Sequence, residues 1–352
     1  MIPLRLSARA EASTPFVTRL NDGKRGASLV AADGLHSVFA GDAGLFEING
    51  VAAKDMAGDV ILVDPRRGIA ERLFRSGSVH NSLLVTERCD QLCVMCSQPP
   101  KKTHHDRFDH FEAACLLADE NAVVGITGGE PTLYKERLFQ LIERVLAVRT
   151  DLSFHVLTNG QHFDETDVER LRQPCFRAVQ WGVPLYSSEA SLHDDIVGKP
   201  GAHRRLLESL PRLMRAGAHV ELRTVLLTTN AAQLPTLARF VSSHLRFVDA
   251  WSIMQLENIG FARNRWAELY YDHRVGFQPI AEALDISALY GVNARLFNFA
   301  RCGVPGPYRS FAKPSISDWK RRFPSECVPC RERQLCAGFF EWHPNGEGVT
   351  PL

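Results

Sequence analysis

The sequence predicts an α/β fold: a parallel sheet curled into an open barrel, with a β-rich segment before it and a short cysteine-rich extension after it. Three observations carry this. From residue 82 onward, short strand-like runs alternate with helical stretches. Before that, glycine turns punctuate the chain and little helical period is visible. Seven of the nine cysteines fall in two clusters, one after the first barrel strand and one near the C-terminus.

Composition narrows the class. A chain of 352 residues holds one large domain or two or three smaller ones. An apolar content of 45% is that of a folded globular protein. A net charge of +1 gives no global pull toward nucleic acid or a membrane surface. The opening Met1-Ile2-Pro3-Leu4-Arg5-Leu6 is broken by charge at once, unlike a secretory signal. No run reaches the roughly 20 apolar residues of a membrane span. An odd number of clustered cysteines suits metal chemistry better than a disulfide framework, so a cytoplasmic setting is expected, with neither nucleic acid nor membrane as partner.

Residues 1–77 are expected to form a small β-rich domain of five or six short strands. Turns are marked by Asn21-Asp22-Gly23, Ala32-Asp33-Gly34, Gly41-Asp42-Ala43-Gly44 and Asn49-Gly50, with apolar runs at 27–31, 45–48 and 58–64 between them. Its role is a lid or structural extension; the alternative is a peptide-docking platform that uses a strand edge. Residues 78–300 hold the barrel. Strands are expected at 82–86, 122–126, 153–157, 178–181, 220–227 and 250–256, and helices at 108–118, 137–148, 166–171, 202–216 and 234–245. Six such strand–helix repeats imply a parallel sheet. Residues 301–352 form the extension, its last stretch from Trp342 reading as a tail.

The chemistry starts at Cys89-Asp90-Gln91-Leu92-Cys93-Val94-Met95-Cys96, on the loop that leaves the first barrel strand. Thiolates at close spacing let one loop wrap one iron–sulfur cluster. Three ligands leave one iron of a [4Fe–4S] cube without a protein ligand, open to a small molecule. The alternative is structural zinc, which needs a fourth ligand; His104 and His105 follow at a spacing zinc fingers rarely use.

The second feature is Gly125-Ile126-Thr127-Gly128-Gly129-Glu130-Pro131-Thr132, at the end of the second strand. Alone it is an ordinary strand-to-helix turn. Together, Cys-x3-Cys-x2-Cys and Gly-Gly-Glu-Pro, in order on successive strands, resemble the radical S-adenosylmethionine (SAM) superfamily over roughly residues 80 to 300. The resemblance implies a six-unit partial (βα)6 barrel and a [4Fe–4S] cluster held by Cys89, Cys93 and Cys96, whose open iron chelates SAM. It implies that the reduced cluster cleaves SAM and that the radical released takes a hydrogen atom from a substrate. It places Gly128, Gly129, Glu130 and Pro131 at the SAM methionine, the glycines by close backbone approach and the carboxylate on the ammonium. Met95 stands where the family often has an aromatic residue, beside adenine and mainly through backbone. Thr158 and Asn159, ending the third strand, lie near the ribose in this reading, or simply build a turn with Gly160. Arg223 pairs with the SAM carboxylate, or forms an outward ion pair. Gly260 lets adenine approach backbone. His193 and Asp194 are candidate substrate contacts, while Cys115 and Cys175 read as small buried hydrophobes.

Cys302, Cys327, Cys330 and Cys336 can close a tetrahedral zinc site or bind every iron of a second cube. They match part of the SPASM or twitch pattern of peptide-modifying members, so an auxiliary [4Fe–4S] cluster is expected. Cys96-Ser97-Gln98-Pro99-Pro100-Lys101, Ser315-Ile316-Ser317-Asp318-Trp319-Lys320 and Cys336-Ala337-Gly338-Phe339-Phe340 resemble the His-Xaa-Ser system maturases of the HxsC type. That narrower resemblance implies a peptide substrate with His-Xaa-Ser repeats, an electron donor, and a partner radical SAM protein as a candidate associate. The alternatives are a small-metabolite substrate, or a non-catalytic zinc or iron–sulfur protein.

Overall fold

A computed structural model describes residues 2–20, 26–344 and 349–352. The turn expected at Asn21-Asp22-Gly23 and part of the tail lie outside them. The chain divides into two compact units: one comprises Met1–Val85, His105–Thr127 and Tyr134–His155, the other Thr86–His104, Gly128–Leu133 and Val156–Leu352.

The first seven strands are β1 (Arg5–Ala10), β2 (Phe16–Arg19), β3 (Ser28–Asp33), β4 (His36–Gly41), β5 (Gly44–Asn49), β6 (Val60–Asp64) and β7 (Ile69–Phe74). They form one antiparallel sheet in the order β2-β6-β7-β1-β5-β4-β3, with seven strands among the described residues where five or six were expected. Alternation explains the faces: β1 buries Leu6 and Ala8, β4 Val38's neighbours Ser37 and Phe39, and β5 Phe46 and Ile48. Phe39 and Phe46 stack with ring centroids 5.4 Å apart. Around them Leu20, Met56, Ile61 and Val63 complete a separate core.

One polar pair is buried in this layer. Arg72 donates to Asp59 at 2.5 Å and to the Asp55 carbonyl at 2.7 Å. Asp59 also accepts from the Ser76 N–H at 2.9 Å. Helix α1 (Phe108–Leu116) lies against β2 and β6 and pairs with α2 (Lys135–Val148). Arg19 fixes the contact by donating to the Leu117 carbonyl and to Asp119.

A second sheet contains β8 (Asn81–Thr86), β9 (Val123–Gly128), β10 (Ser153–Leu157), β11 (Val179–Pro184), β12 (His219–Val225), β13 (Ala250–Met254) and β14 (Ala294–Phe297). Its order is β14-β13-β12-β11-β10-β9-β8, so strands follow the chain order, with parallel register across β11 to β14. The six expected strands are all present. The seventh, β14, goes beyond the six-unit count; it is only four residues long and contains Arg295, so no apolar run marked it. Helices α3 (Asp167–Leu171), α5 (Ala202–Ala216) and α6 (Leu234–His244) fall where expected. Helices α4 (Ala190–Val197), α7 (Trp266–Leu269) and α8 (Gln278–Leu289) were not anticipated. A short β15–β16 pair (Arg321–Arg322 with Phe339–Phe340) organises the extension.

The two faces of β11 to β14 differ. Trp181, Val183, Val220, Leu222, Trp251, Ile253 and Leu296 share one, fully buried. The register puts Gln180, Glu221, Arg223, Ser252 and Arg295 together on the other. The sheet is thus apolar on one side and carries charges on the other.

Arg72→Leu should lower stability by about 3–5 kcal/mol, because it strands a buried carboxylate. The double variant with Asp59→Leu should recover part of that loss. Thermal unfolding of both variants against the parent chain checks it.

Candidate metal and cofactor site

The cysteine loop has no regular structure of its own, so its backbone groups must be paired by neighbours. Three do so. Leu92 and Val94 donate to the carbonyls of Val197 and Ile196, at 3.0 and 2.9 Å, at the C-terminal end of α4. Gly129 and Glu130 donate to the carbonyls of Thr86 and Arg88, at 2.8 and 2.7 Å. Phe261 donates to the Cys96 carbonyl at 2.9 Å.

Glycines make these approaches possible. A Cβ on Gly129 would lie 2.1 Å from the Arg88 carbonyl oxygen, and one on Gly128 2.6 Å from that of Thr86. On Gly260, at φ +61°, it would fall 2.2 Å from the Cys96 carbonyl oxygen. Gly198, also left-handed, faces the Leu92 carbonyl at 2.7 Å. At Gly129 and Gly260 the close neighbour is the cysteine loop, and at Gly128 it is Thr86 at the end of β8.

Cys89, Cys93 and Cys96 are free and partly buried. The Gln91 N–H points at the Cys89 Sγ, 3.4 Å away. Burial pushes the thiols of Cys89 and Cys93 up to about 11 and about 12, and each is raised further by the charge of neighbouring cysteines. The three sulfurs therefore sense one another. Among the described residues no three His, Cys, Asp or Glu side chains are gathered as for a single metal ion. A cube asks for a different arrangement: each thiolate takes its own iron, so the sulfurs share a rim and not a point. Three soft, mutually coupled donors on one clamped loop fit that demand.

Glu130 is fully buried. Its carboxylate accepts from the Thr132 N–H (2.8 Å) and hydroxyl (2.5 Å), the Thr158 hydroxyl (2.6 Å) and the Asn159 N–H (2.5 Å). Burial raises its pKa, and these donors pull it part of the way back. Glu130 therefore knots the turn after β9 to the end of β10. Pro131 and Thr132 are buried in the same knot.

Asn159 continues the chain of contacts, donating to Asp90 at 2.8 Å. Asp90 also pairs with Lys199 and, at 3.1 Å, with His162. Burial alone would raise its carboxyl, but the hydrogen bonds and charges of His162 and Lys199 outweigh it and hold the group below the carboxylate range. Asp90 was missed in the sequence; a lone acid between cysteines carries no signal of three distant partners.

Met95 is buried with Ile196, Leu227 and Leu256, and so roots the loop in a hydrophobic cluster. Arg223 donates to Glu221 at 2.9 Å on the polar sheet face, so the ion pair lies within the sheet's charged side. Glu221 also accepts from the Ser252 hydroxyl. His193 and Asp194, candidate substrate contacts in the sequence, are tied into the fold. His193 is buried, accepts the Tyr186 N–H and packs on Tyr186 and His203; Asp194 accepts the N–H groups of Gly201 and His203 at the start of α5.

The other four cysteines line one open recess, together with Phe323, Phe339 and the tail residues Val349 to Pro351. The Cys336 Sγ accepts the N–H groups of Arg301 and Gly338 at 3.3 and 3.4 Å. Cys115 is fully buried and well above the thiol range, chiefly by burial. Cys175 is partly buried.

Residues 83–241 match the model of the Radical SAM superfamily, and this part of the chain is a radical SAM domain. No curated protein matches the chain. In fold it is similar to SuiB from Streptococcus suis bound to S-adenosylmethionine, at 16% identity and a TM-score of 0.50, over 61% of this chain and 49% of that one. It thus spans about half of that protein's length. It is also similar to a radical SAM methyltransferase from Sphaerobacter thermophilus, at 14% identity and a TM-score of 0.46, over 77% and 76% of the two chains. No helix among the described residues is long and apolar enough to cross a membrane.

Gly260→Ala should cost about 1–3 kcal/mol through its left-handed backbone and its collision with Cys96, and should lower iron uptake; thermal unfolding and iron analysis after reconstitution check both. A pH effect follows from His193. Burial, then the nearby His203, depress its pKa from 6.5 to about 4, against a smaller opposing pull from Asp194. The unfolded chain takes up this proton near 6.5 and the folded chain only near 4. Its contribution is present above about pH 6.5 and is lost as pH falls toward 4, by up to about 3 kcal/mol. Melting curves from pH 7 to 4.5 should show the loss, and His193→Gln should flatten it.

Proposed function

We propose that this protein is a radical SAM enzyme that modifies a ribosomally made peptide, and that Cys89, Cys93 and Cys96 hold its SAM-binding [4Fe–4S] cluster. The observation that carries the chemistry is the clamped loop: three coupled thiols on a strand end, inside the segment that matches the family model. When bound, the cluster and SAM supply one-electron cleavage of a sulfonium, chemistry no side chain offers. The chain's own residues do the rest. Burial raises the thiols of Cys89 and Cys93, to about 11 and about 12, and a cluster held there would take them as thiolates. The Gln91 N–H then donates to the Cys89 sulfur, as suits a thiolate ligand. Arg223 offers a planar, permanently charged fork for the carboxylate of SAM. Glu130, knotted to Thr158 and Asn159, acts by shaping the turn that faces the methionine end.

The C-terminal recess is read as the auxiliary cluster site of Cys302, Cys327, Cys330 and Cys336. Four thiols around an open recess, one of them already accepting two backbone N–H groups, suit a larger group.

The peptide substrate, with His-Xaa-Ser repeats, is supported by the sequence strings around Cys96, Ser315 and Cys336. The second of these strings is tied to strand ends: Lys320 pairs with Glu257 after β13, and Ser315 accepts from the Asn298 N–H at 2.7 Å after β14. Both lie where strands end, the working side of such a sheet. An electron donor is required, and a second radical SAM protein is a candidate partner.

The test is anaerobic reconstitution followed by dithionite, SAM and peptide. The expected products are 5′-deoxyadenosine and a peptide of altered mass. Cys93→Ala should abolish SAM cleavage, whereas Cys115→Ala, remote from the loop in sequence and buried, should retain it. Cleavage that survives Cys93→Ala would remove the ligand assignment; 5′-deoxyadenosine with unaltered peptide would remove the substrate class alone.

A further inference from the structure

Gln91 lies between the first two thiols of the cysteine loop and is 4% exposed. A buried primary amide needs partners for its oxygen and for the two hydrogens of its nitrogen. This one meets a single group. Its Oε1 accepts from the Cys93 thiol at 3.5 Å. Its Nε2 is buried and has no hydrogen-bond partner among the described residues. A buried donor left unmet costs roughly 1–3 kcal/mol.

The fold gives no reason for that cost. Asp90, the residue before it, ties the loop to Asn159, His162 and Lys199. Gln91 makes no such tie. Its backbone N–H points at the Cys89 sulfur and its side chain meets the Cys93 sulfur. An apolar side chain of the same length would fill this space without an orphaned N–H.

The sulfurs supply a reason. The Cys93 thiol donates only while it carries a proton, and a cysteine sulfur bound to iron carries none. Such a sulfur can only accept. Half a turn of the Gln91 amide about its last bond exchanges Oε1 and Nε2 within the same volume, because the two ends are nearly alike in size. The orphaned donor then faces the sulfur, where an oxygen would set lone pair against thiolate. Among the three sulfurs, Cys89 already faces a backbone N–H and Cys96 faces the Gln98 carbonyl. Cys93 alone faces a group that can be donor or acceptor.

We propose that Gln91 is a positioning residue for the first cluster: with Cys93 as a thiolate ligand, the Gln91 Nε2–H donates to its sulfur, as the Gln91 backbone N–H does to Cys89. This rests on the ligand assignment above. One residue then gives donors to two of the three ligand sulfurs. A donor on a ligand sulfur stabilises the state that holds the extra electron, so it raises the reduction potential.

The test is an anaerobic redox titration of the reconstituted full chain, parent and Gln91→Met, followed on the EPR signal that added SAM alters. Methionine has nearly the same length and no donor; iron content and melting temperature check that the variant loads and folds. At the potential where the parent cluster is half reduced, the ratio of oxidised to reduced cluster in Gln91→Met should be about tenfold higher, a fall of about 59 mV for one electron. A second readout needs no variant. Pulsed EPR of the reduced parent, labelled with nitrogen-15 in its glutamine side chains only, should show that nitrogen coupled to the cluster. A change of less than threefold in a loaded variant, or no such coupling in the parent, would overturn this inference and leave the ligand assignment standing. A parent chain with no SAM-sensitive signal would overturn both.

Discussion

The structure depends on how a loop without secondary structure is held still. The stretch that bears Cys89, Cys93 and Cys96 is neither helix nor strand. Its amides and carbonyls then need partners from elsewhere, or burial would leave them unmet. Those partners come from the end of α4, from the turn after β9 and from the segment after β13. Each contact brings backbone against backbone, and at each a glycine removes the Cβ that would collide. The loop is thus a keystone between strand ends that are far apart in sequence.

Charge follows the same plan. Asp90 sits between Cys89 and Cys93, and its charge adds to the burial that raises both thiols. Lys199 and His162 meet that carboxylate, and Asn159 shares it. Through Asn159 and Glu130 the network runs back to the turn that clamps Arg88. A change at Asp90 would therefore act on loop geometry and on thiol charge together, which makes it a sharper probe of the site than any one glycine.

Much of this was legible in the residues. The six strand runs, five helices and both cysteine groups were marked by period and spacing, since an apolar alternation or a thiol cluster is visible in a short window. What escaped needed distant partners. β14 is four residues with an arginine and becomes a strand by pairing with β13. Gly128, Gly129 and Gly260 were marked as places where SAM meets backbone; the structure shows chain against chain at them, and a sequence cannot say what approaches. His193 and Asp194 belong to α4, a helix the sequence did not mark; His193 is buried there and Asp194 accepts N–H groups at the start of α5.

The polar face of β11 to β14 separates stability from use. Across those strands one side is closed by tryptophans, valines and leucines, which is what a core requires. The other side keeps Glu221, Arg223 and Ser252 in contact although Glu221 and Ser252 are almost wholly shielded from water. Desolvating such a group costs several kcal/mol, and apolar residues of similar volume would hold the strands at least as well. Packing therefore gives no reason for the charges. A guanidinium has five donors in a fixed fork, and one bond to Glu221 fixes its plane without exhausting them. Arg223 is in this way oriented by a neighbour, with donors to spare.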